Sequence, residues 1–414
     1  MTSTASAAAR SFTWRTPAVL VLCACCISVL SFGPRSSLGF FMMPLSSANN
    51  WGRDVFALAI AIQNLLWGLG QPLAGAIADK FGAPRVLSVG GLMYALGLYL
   101  TAHATEPGFV YISAGVLVGF GLSGCAVPTV IGALGKLLPE SWRTLAFGAV
   151  TAAGSFGQFL FSPLAVSLMD EYGWQTTLVI FSSLLLLIVP ISLTLMAPKR
   201  PAGALVAPPP RQSLRQALAE AFGHRSYVLL VLGFFTCGFQ LAFVTVHLPS
   251  YLIDRGLSAQ VGGWTLAVIG LFNIIGSLGS GYLATFLPKR YILSFIYFAR
   301  ALSVLAFIML PASPVSTLIY GAVTGLLWLS TVPPTSGLVA LMFGTRWLTM
   351  LFGFAFFSHQ VGGFLGVWLG GIAFERTGSY DVIWWLSILF GVLSAVINLP
   401  IVEKPVQRLA PASA

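Results

Sequence analysis

Gly75-Ala76-Ile77-Ala78-Asp79-Lys80-Phe81-Gly82-Ala83-Pro84-Arg85 is a short charged turn set between two long apolar runs. Gly75 and Gly82 allow close backbone approach at such a turn. Asp79 suits a positive helix end and facing arginines such as Arg143. Lys80 and Arg85 hold the loop on one side of a membrane. A reduced copy, Gly281-Tyr282-Leu283-Ala284-Thr285-Phe286, follows at an offset of 206 residues, with Thr285 in place of the acid. Arg143 has a partner in Arg346 at offset 203, and Asp170-Glu171-Tyr172-Gly173 has one in Glu375-Arg376-Thr377-Gly378 at offset 205. Three near-equal offsets imply two halves of like topology, related by an axis along the membrane normal. Such an arrangement places a site between the halves, near the midplane.

Composition agrees. The 414 residues are 57% hydrophobic and 8% charged, against about 25% charged in soluble domains. A spanning helix needs about 20 mainly apolar residues. Twelve such runs begin near Ala18, Asp54, Val86, Gly108, Leu145, Gln175, Tyr227, Val261, Tyr291, Val315, Trp347 and Val382. They are long blocks rich in Leu, Gly and Ala, not the short alternating segments of a barrel. The first run exceeds the apolar core of a cleavable signal and reads as a retained span. The expected fold is an all-α membrane protein with twelve transmembrane helices in two six-helix bundles. Residues 1–197 and 227–414 form the bundles, joined by a linker at 198–226. That linker holds Pro208-Pro209-Pro210 and then a segment of helical spacing, which reads as lying along the membrane surface.

Of 21 Lys and Arg residues, sixteen fall on the side that carries both termini and three on the other, at Arg53, Arg255 and Arg376. The positive-inside rule then puts both termini in the cytoplasm. The net charge of +10 is therefore a topology signal and not a nucleic-acid footprint. The remaining two cations, Arg35 and Arg300, sit deep in apolar runs where no carboxylate lies near the middle. An arginine at the bilayer centre costs roughly 2.5–3.5 kcal/mol on insertion scales. Buried cations without buried anions suit a negative substrate. Cys23, Cys25, Cys26, Cys125 and Cys237 all lie in apolar runs and read as small buried hydrophobes.

The 75–85 segment closely resembles the signature loop of the major facilitator superfamily. The resemblance implies a gate latch that holds one face closed, built from Gly75, Asp79, Lys80, Gly82, Arg85 and Arg143. Likeness to the monocarboxylate porter branch covers most of the chain. It rests on Gly33-Pro34-Arg35-Ser36-Ser37-Leu38-Gly39-Phe40-Phe41, on Gly119, Gly121, Gly124, Pro128, Ile131-Gly132 and Arg143, on Ala153-Gly154-Ser155 with Gly157, and on Gly173-Trp174. In that branch a lysine precedes the paired aromatics and engages the substrate carboxylate and the proton. Here the cation is Arg35, which hardly deprotonates. Ser358-His359-Gln360-Val361-Gly362-Gly363 is similar to the oxalate/formate exchangers, where a lysine stands at the place of His359. Both groups put an arginine where Ser277 lies, and the porters put an acid where Asn273 lies. Their acid–base pair is thus missing, and Arg300 is a candidate for the displaced charge.

Arg35 reads as a carboxylate clamp or as a structural arginine bonded to span ends and carbonyls. For Arg300 the structural reading leads. His359 is a candidate for substrate and proton, since histidine titrates near neutrality; the bland alternative is a satisfied core residue. His247, near the outer end of the seventh span, reads as a gate hydrogen bond, with proton coupling as its second role. Gln63, Asn64, Gln158, Gln240 and Asn273 are intramembrane amides that should join helices; Asn273 and Gln360 are also substrate candidates. Phe40, Phe41 and Trp328 are candidates for the apolar side of the site. Pro333-Pro334 should break the tenth span and form a hinge.

No phosphate-binding loop, paired-histidine metal motif or soluble catalytic domain is present, so the chain does not read as an enzyme. The expected function is secondary active transport of a small organic anion, a monocarboxylate first, by proton symport or anion exchange. The expected partners are that anion, protons in the symport case, and membrane lipid. No cofactor, metal, nucleic acid or obligate protein partner is implied. Localisation in a bacterial inner membrane is expected. The rival reading is a proton-driven exporter of drugs or other hydrophobic compounds, although no intramembrane acid is there to attract a cation. A second rival is a non-transporting receptor.

Overall fold

The computed structural model describes residues 15–196, 214–344 and 347–406. Residues 198–213 of the expected linker, and Arg346 of the repeat, lie outside the described residues. The described part of the linker holds a helix at Leu214–Gly223.

Eleven helical stretches are long and apolar enough to cross a membrane. The first four are Pro17–Asn49, Arg53–Ala78, Ala83–Ala102 and Pro107–Gly135, and the fifth and sixth spans are merged in Ala146–Leu193. Gly173 divides that stretch: its φ of 78° and ψ of 166° break the helix without ending the chain's advance. Only glycine takes that conformation without strain. Spans seven to twelve are Arg225–Asp254, Ala259–Leu283, Lys289–Met309, Pro314–Phe343, Met350–Thr377 and Asp381–Asn398. Twelve crossings result, and both termini share one face, called the termini side below.

Local chemistry sets the ends. Thr16 caps span one through Val19 N–H, and Pro17 occupies the first turn, where its missing N–H does no harm. Ser313 and Ser316 form a reciprocal capping box at span ten. Inside the bundles the buried amides join helices, as expected for polar groups away from water. Gln63 donates to Ala114 O at 2.9 Å, joining spans two and four, and Gln240 donates to Ser387 O at 2.8 Å, joining seven and twelve. The cysteines are free thiols; Cys125 and Cys237 are buried, but Cys26 is exposed on the outer face of span one. The apolar run hid that difference, because in a membrane an apolar side chain is stable facing lipid as well as core.

Two antiparallel pairs link the bundles, and both tell the same story. Span two meets span eleven at Ala57 against Gly371, Asn64 against Gly363 and Gly68 against Gln360. Two turns farther toward the termini, nothing lies within 4 Å of where a Cβ would stand on Gly75 or Gly353. Span five meets span eight through Asp170 and Gln260, through Val166 and Gly263, and through Gln158, which donates to Leu266 O at 3.1 Å. Gly148 and Gly279, nearer the termini, again face nothing within 4 Å. The bundles are therefore closed on the far side and splayed on the termini side.

Candidate substrate site and gates

The helix of span one ends at Ser36, and a 3₁₀ turn at Leu38–Phe41 leads into Met42–Asn49. Arg35 sits in the last turn, 6% exposed. Its Nη2 donates to Asn64 Oδ1 at 2.7 Å, and its Nε is buried with no partner. The ion pair among the described residues lies elsewhere, so Arg35 has no carboxylate. Asn64, Trp67, Gly68 and Gln71 form one face of span two, at helical spacing. Phe356, Gln360 and Gly363 face it from span eleven, while His359 turns toward span seven. The Trp67 and Phe356 rings meet edge to face with centroids 5.7 Å apart. Asn64 Nδ2, Trp67 Nε1 and Gln360 Nε2 are all buried and unpartnered. A buried N–H left unpaired costs about 1–3 kcal/mol. With Arg35 Nε, four unmet donors therefore lie on spans one, two and eleven.

His359 is half-buried, stacks on Phe356 at 5.6 Å, and has Nδ1 3.1 Å from Gln360 Oε1. It also borders Phe234 and the Cys237 thiol. No hydrogen bond joins His359 to Arg35 among the described residues. Phe40 and Phe41 sit on the far side. Phe41 packs in the first bundle, 6.2 Å from the Phe181 ring, while Phe40 reaches across to Gly262. Beside them Gly39 meets the backbone of Thr245 and Val246 so closely that a Cβ there would collide with both carbonyls.

Span ten is broken at residues 328–331, between Pro314–Leu327 and Val332–Phe343. The proline pair lies just after the break, in the first turn of the second half, where proline is tolerated. The break leaves orphan carbonyls on one side and an orphan N–H on the other. Arg300 satisfies the carbonyls: Nε and Nη2 donate to Leu327 O at 3.1 and 2.6 Å, and Nη2 also donates to Trp328 O. The remaining donor reaches Gln240 Oε1 at 3.5 Å, and the guanidinium lies over the Tyr297 ring. A cation at the carbonyl end of a half-helix also opposes its dipole. Asn273 closes the other side by accepting from Leu329 N–H at 2.9 Å, while its Nδ2 donates to Ser155 at 2.8 Å. Trp328, 3% exposed, is held at the break. Arg300 and Asn273 together fix this elbow.

His247 is wholly buried, with Nε2 2.8 Å from Val367 O, and ties span seven to span eleven within the second bundle. On the termini side, Gly82 has φ 95° and Arg85 Nη1 donates to Phe81 O at 3.1 Å. The side chains of Asp79, Lys80 and Arg143 lie outside the described residues.

The far side carries a clasp that sequence reasoning missed. Arg53 of the first bundle forks onto Asp254 of the second, at 2.6 and 2.7 Å. Its backbone N–H donates to Glu375 at 2.6 Å, its Nη1 to the Tyr380 hydroxyl at 3.1 Å, and its guanidinium lies 3.7 Å from the Phe374 centroid. Burial pushes the Tyr380 phenol up to about 12, with Arg53 pulling the other way, so it stays protonated near neutrality. Such a fork is specific as well as strong. Replacing Arg53 by Ala should loosen the closed far side by about 1.4 kcal/mol, or roughly tenfold. Labelling of a Ser250→Cys thiol from the far side, in a background without other cysteines, should rise accordingly; an unchanged rate refutes the clasp.

Twelve helices form two bundles that close on one face and part on the other. The Major Facilitator Superfamily profile matches residues 24–367, and the chain belongs to that superfamily. It is 29% identical over 378 residues to the uncharacterised MFS-type transporter YcxA of Bacillus subtilis (strain 168), covering 89% of this chain and 91% of that one. It is 26% identical to monocarboxylate transporter 13 of Rattus norvegicus, covering 87% and 83%. Among solved structures, the D-xylose-proton symporter aligns with TM-score 0.75 at 14% identity, over 95% of this chain and 99% of that one. The chain is a multi-pass membrane transporter and not an enzyme.

Proposed function

We propose that the transported substrate is a small organic anion, a monocarboxylate first. The observation that carries this reading is Arg35, a buried cation without a carboxylate, with unpartnered N–H donors of Asn64, Trp67 and Gln360 on the spans beside it. A carboxylate has the charge and the lone pairs those donors lack. Similarity to a monocarboxylate transporter supports the same class. Binding would neutralise the midplane and let the bundles, residues 1–197 and 227–414, rock past each other about the 198–226 linker.

His359, in the middle of span eleven, is the proton-coupling residue of this proposal. His247, locked on Val367, serves the packing of the far half. The excess of Lys and Arg supports cytoplasmic termini, and the Bacillus relative supports a bacterial plasma membrane. The splayed side is then the cytoplasmic one.

The test is counterflow of labelled lactate, pyruvate and oxalate in liposomes, with and without a pH gradient. Uptake of one acid that rises with an inward proton gradient, and loses that dependence in His359→Gln, establishes symport through His359. Uptake indifferent to the gradient establishes exchange on Arg35 alone. No counterflow of any acid overturns the substrate class.

A further inference from the structure

The far-side clasp exists twice in the repeat, and only one copy is complete. Glu375, ending span eleven, accepts from the start of span two at Arg53. Its repeat partner Asp170, ending span five, accepts from the start of span eight at Gln260, at 2.7 Å. The offset that relates Gly75 to Gly281 carries Arg53 onto Ala259. The offset that relates Asp170 to Glu375 carries Phe374 onto Met169. The second edge thus keeps a carboxylate at the end of span five and an apolar wall, but has no cation at the place of Arg53 and no acid at the place of Asp254.

Where that arginine is missing there is space. A cavity of about 360 Å³ opens there, lined by Phe40, Met169, Asp170, Trp174, Ser250 and Ala259 among others. That volume is in the range of small-molecule sites. Spans one, five and six contribute from the first bundle, and seven and eight from the second. The walls are mainly apolar. Ser250 is 1% exposed, and its hydroxyl has no partner. Asp170 is the charged residue of the lining and joins no ion pair among the described residues.

We propose that this cavity is a binding site for a small organic cation, a guanidinium or ammonium on a compact apolar body. The cation pairs with Asp170 as Arg53 pairs with Asp254 on the opposite edge, the body lies on Met169, Trp174 and Phe40, and Ser250 supplies a further hydrogen bond. Both bundles form the walls, so an occupant holds the far side closed and slows transport without competing with the substrate at Arg35. The charge preference is opposite to that proposed for the substrate, so the two sites are separable by ligand alone.

The experiment uses the purified full chain and three probes with one apolar body: 1-adamantylguanidinium, 1-adamantanol and 1-adamantanecarboxylate. Binding is read by a concentration-dependent rise in Tm and by titration calorimetry, neither of which requires a known transport substrate. The guanidinium should raise Tm and release heat on binding, and the carboxylate should do neither. Asp170→Asn should weaken the guanidinium at least about tenfold, and Ala259→Arg should fill the site and abolish its effect. Asp170→Asn decides the matter if Ala259→Arg does not fold. Equal action of the carboxylate, no action of the guanidinium, or an unaltered affinity in Asp170→Asn overturns the proposal. Weakened binding in liposomes containing phosphatidylethanolamine, compared with phosphatidylcholine alone, identifies a lipid headgroup as the natural cation; no difference identifies a soluble one.

Discussion

Uptake of the transported acid should fall roughly 100-fold or more in Arg35→Gln, while the protein keeps its Tm. Removing the cationic partner of a buried, hydrogen-bonded carboxylate costs about 2–5 kcal/mol, and 2.7 kcal/mol is two decades in affinity. The fold should survive because Arg35 makes one side-chain hydrogen bond, to Asn64, which Gln can also donate. Loss of an unpaired buried charge even removes a destabilising term. Arg35→Lys keeps the charge but not the fork, and should retain partial uptake with a raised KM. Normal uptake in Arg35→Gln would mean that the anion binds elsewhere.

The second large effect belongs to Arg300→Met. The substitution keeps the bulk but strips the donors from Leu327 O and Trp328 O. Two orphaned carbonyls at about 1–3 kcal/mol each should lower Tm measurably in detergent. Arg300→Lys should recover part of the stability, since one ammonium reaches fewer of those acceptors. Transport should fall with the stability of the elbow, with little change in KM for the acid. A raised KM at unchanged Tm would instead make Arg300 a substrate ligand.

The architecture was legible because the bilayer enforces it. Apolar runs of spanning length have one inexpensive fate, and the Gly75–Arg85 turn with its copy at Gly281 fixed the two halves. The joining role of Gln63, Gln158 and Gln240 followed from the same physics. The role of Arg300 was only half legible. Pro333-Pro334 announced a break nearby, but the acceptors of Arg300 are backbone carbonyls, which leave no mark in a sequence. The break also fell before the prolines, because they begin the second half-helix and do not interrupt the first. The clasp was hidden for a different reason. Arg53, Asp254 and Glu375 are 201 and 322 residues apart, and each looks like an ordinary charge at a span end. The recurrence of an acid at Asp170 and Glu375 was the available signal, and its meaning needed the helices to be set side by side. Phe40 and Phe41 were drawn toward the site by their neighbour Arg35. A 3₁₀ turn starting at Leu38 carries them to the far side.

The electrical behaviour of the carrier follows from the elbow in span ten. The charge on Arg300 is solvated by the carbonyls of the half-helix it caps, and both belong to the second bundle. Arg35, buried and without a carboxylate among the described residues, is the charge that the proposed anion neutralises. In the exchange case, with His359 neutral and a monovalent anion bound as proposed, the loaded carrier crosses neutral and the empty one returns positive. Membrane voltage, worth about 2.3 kcal/mol per elementary charge per 100 mV across the full field, then acts on the return of the empty protein and not on the step that moves the cargo. Exchange of one acid for another should be insensitive to voltage, while net flux should not.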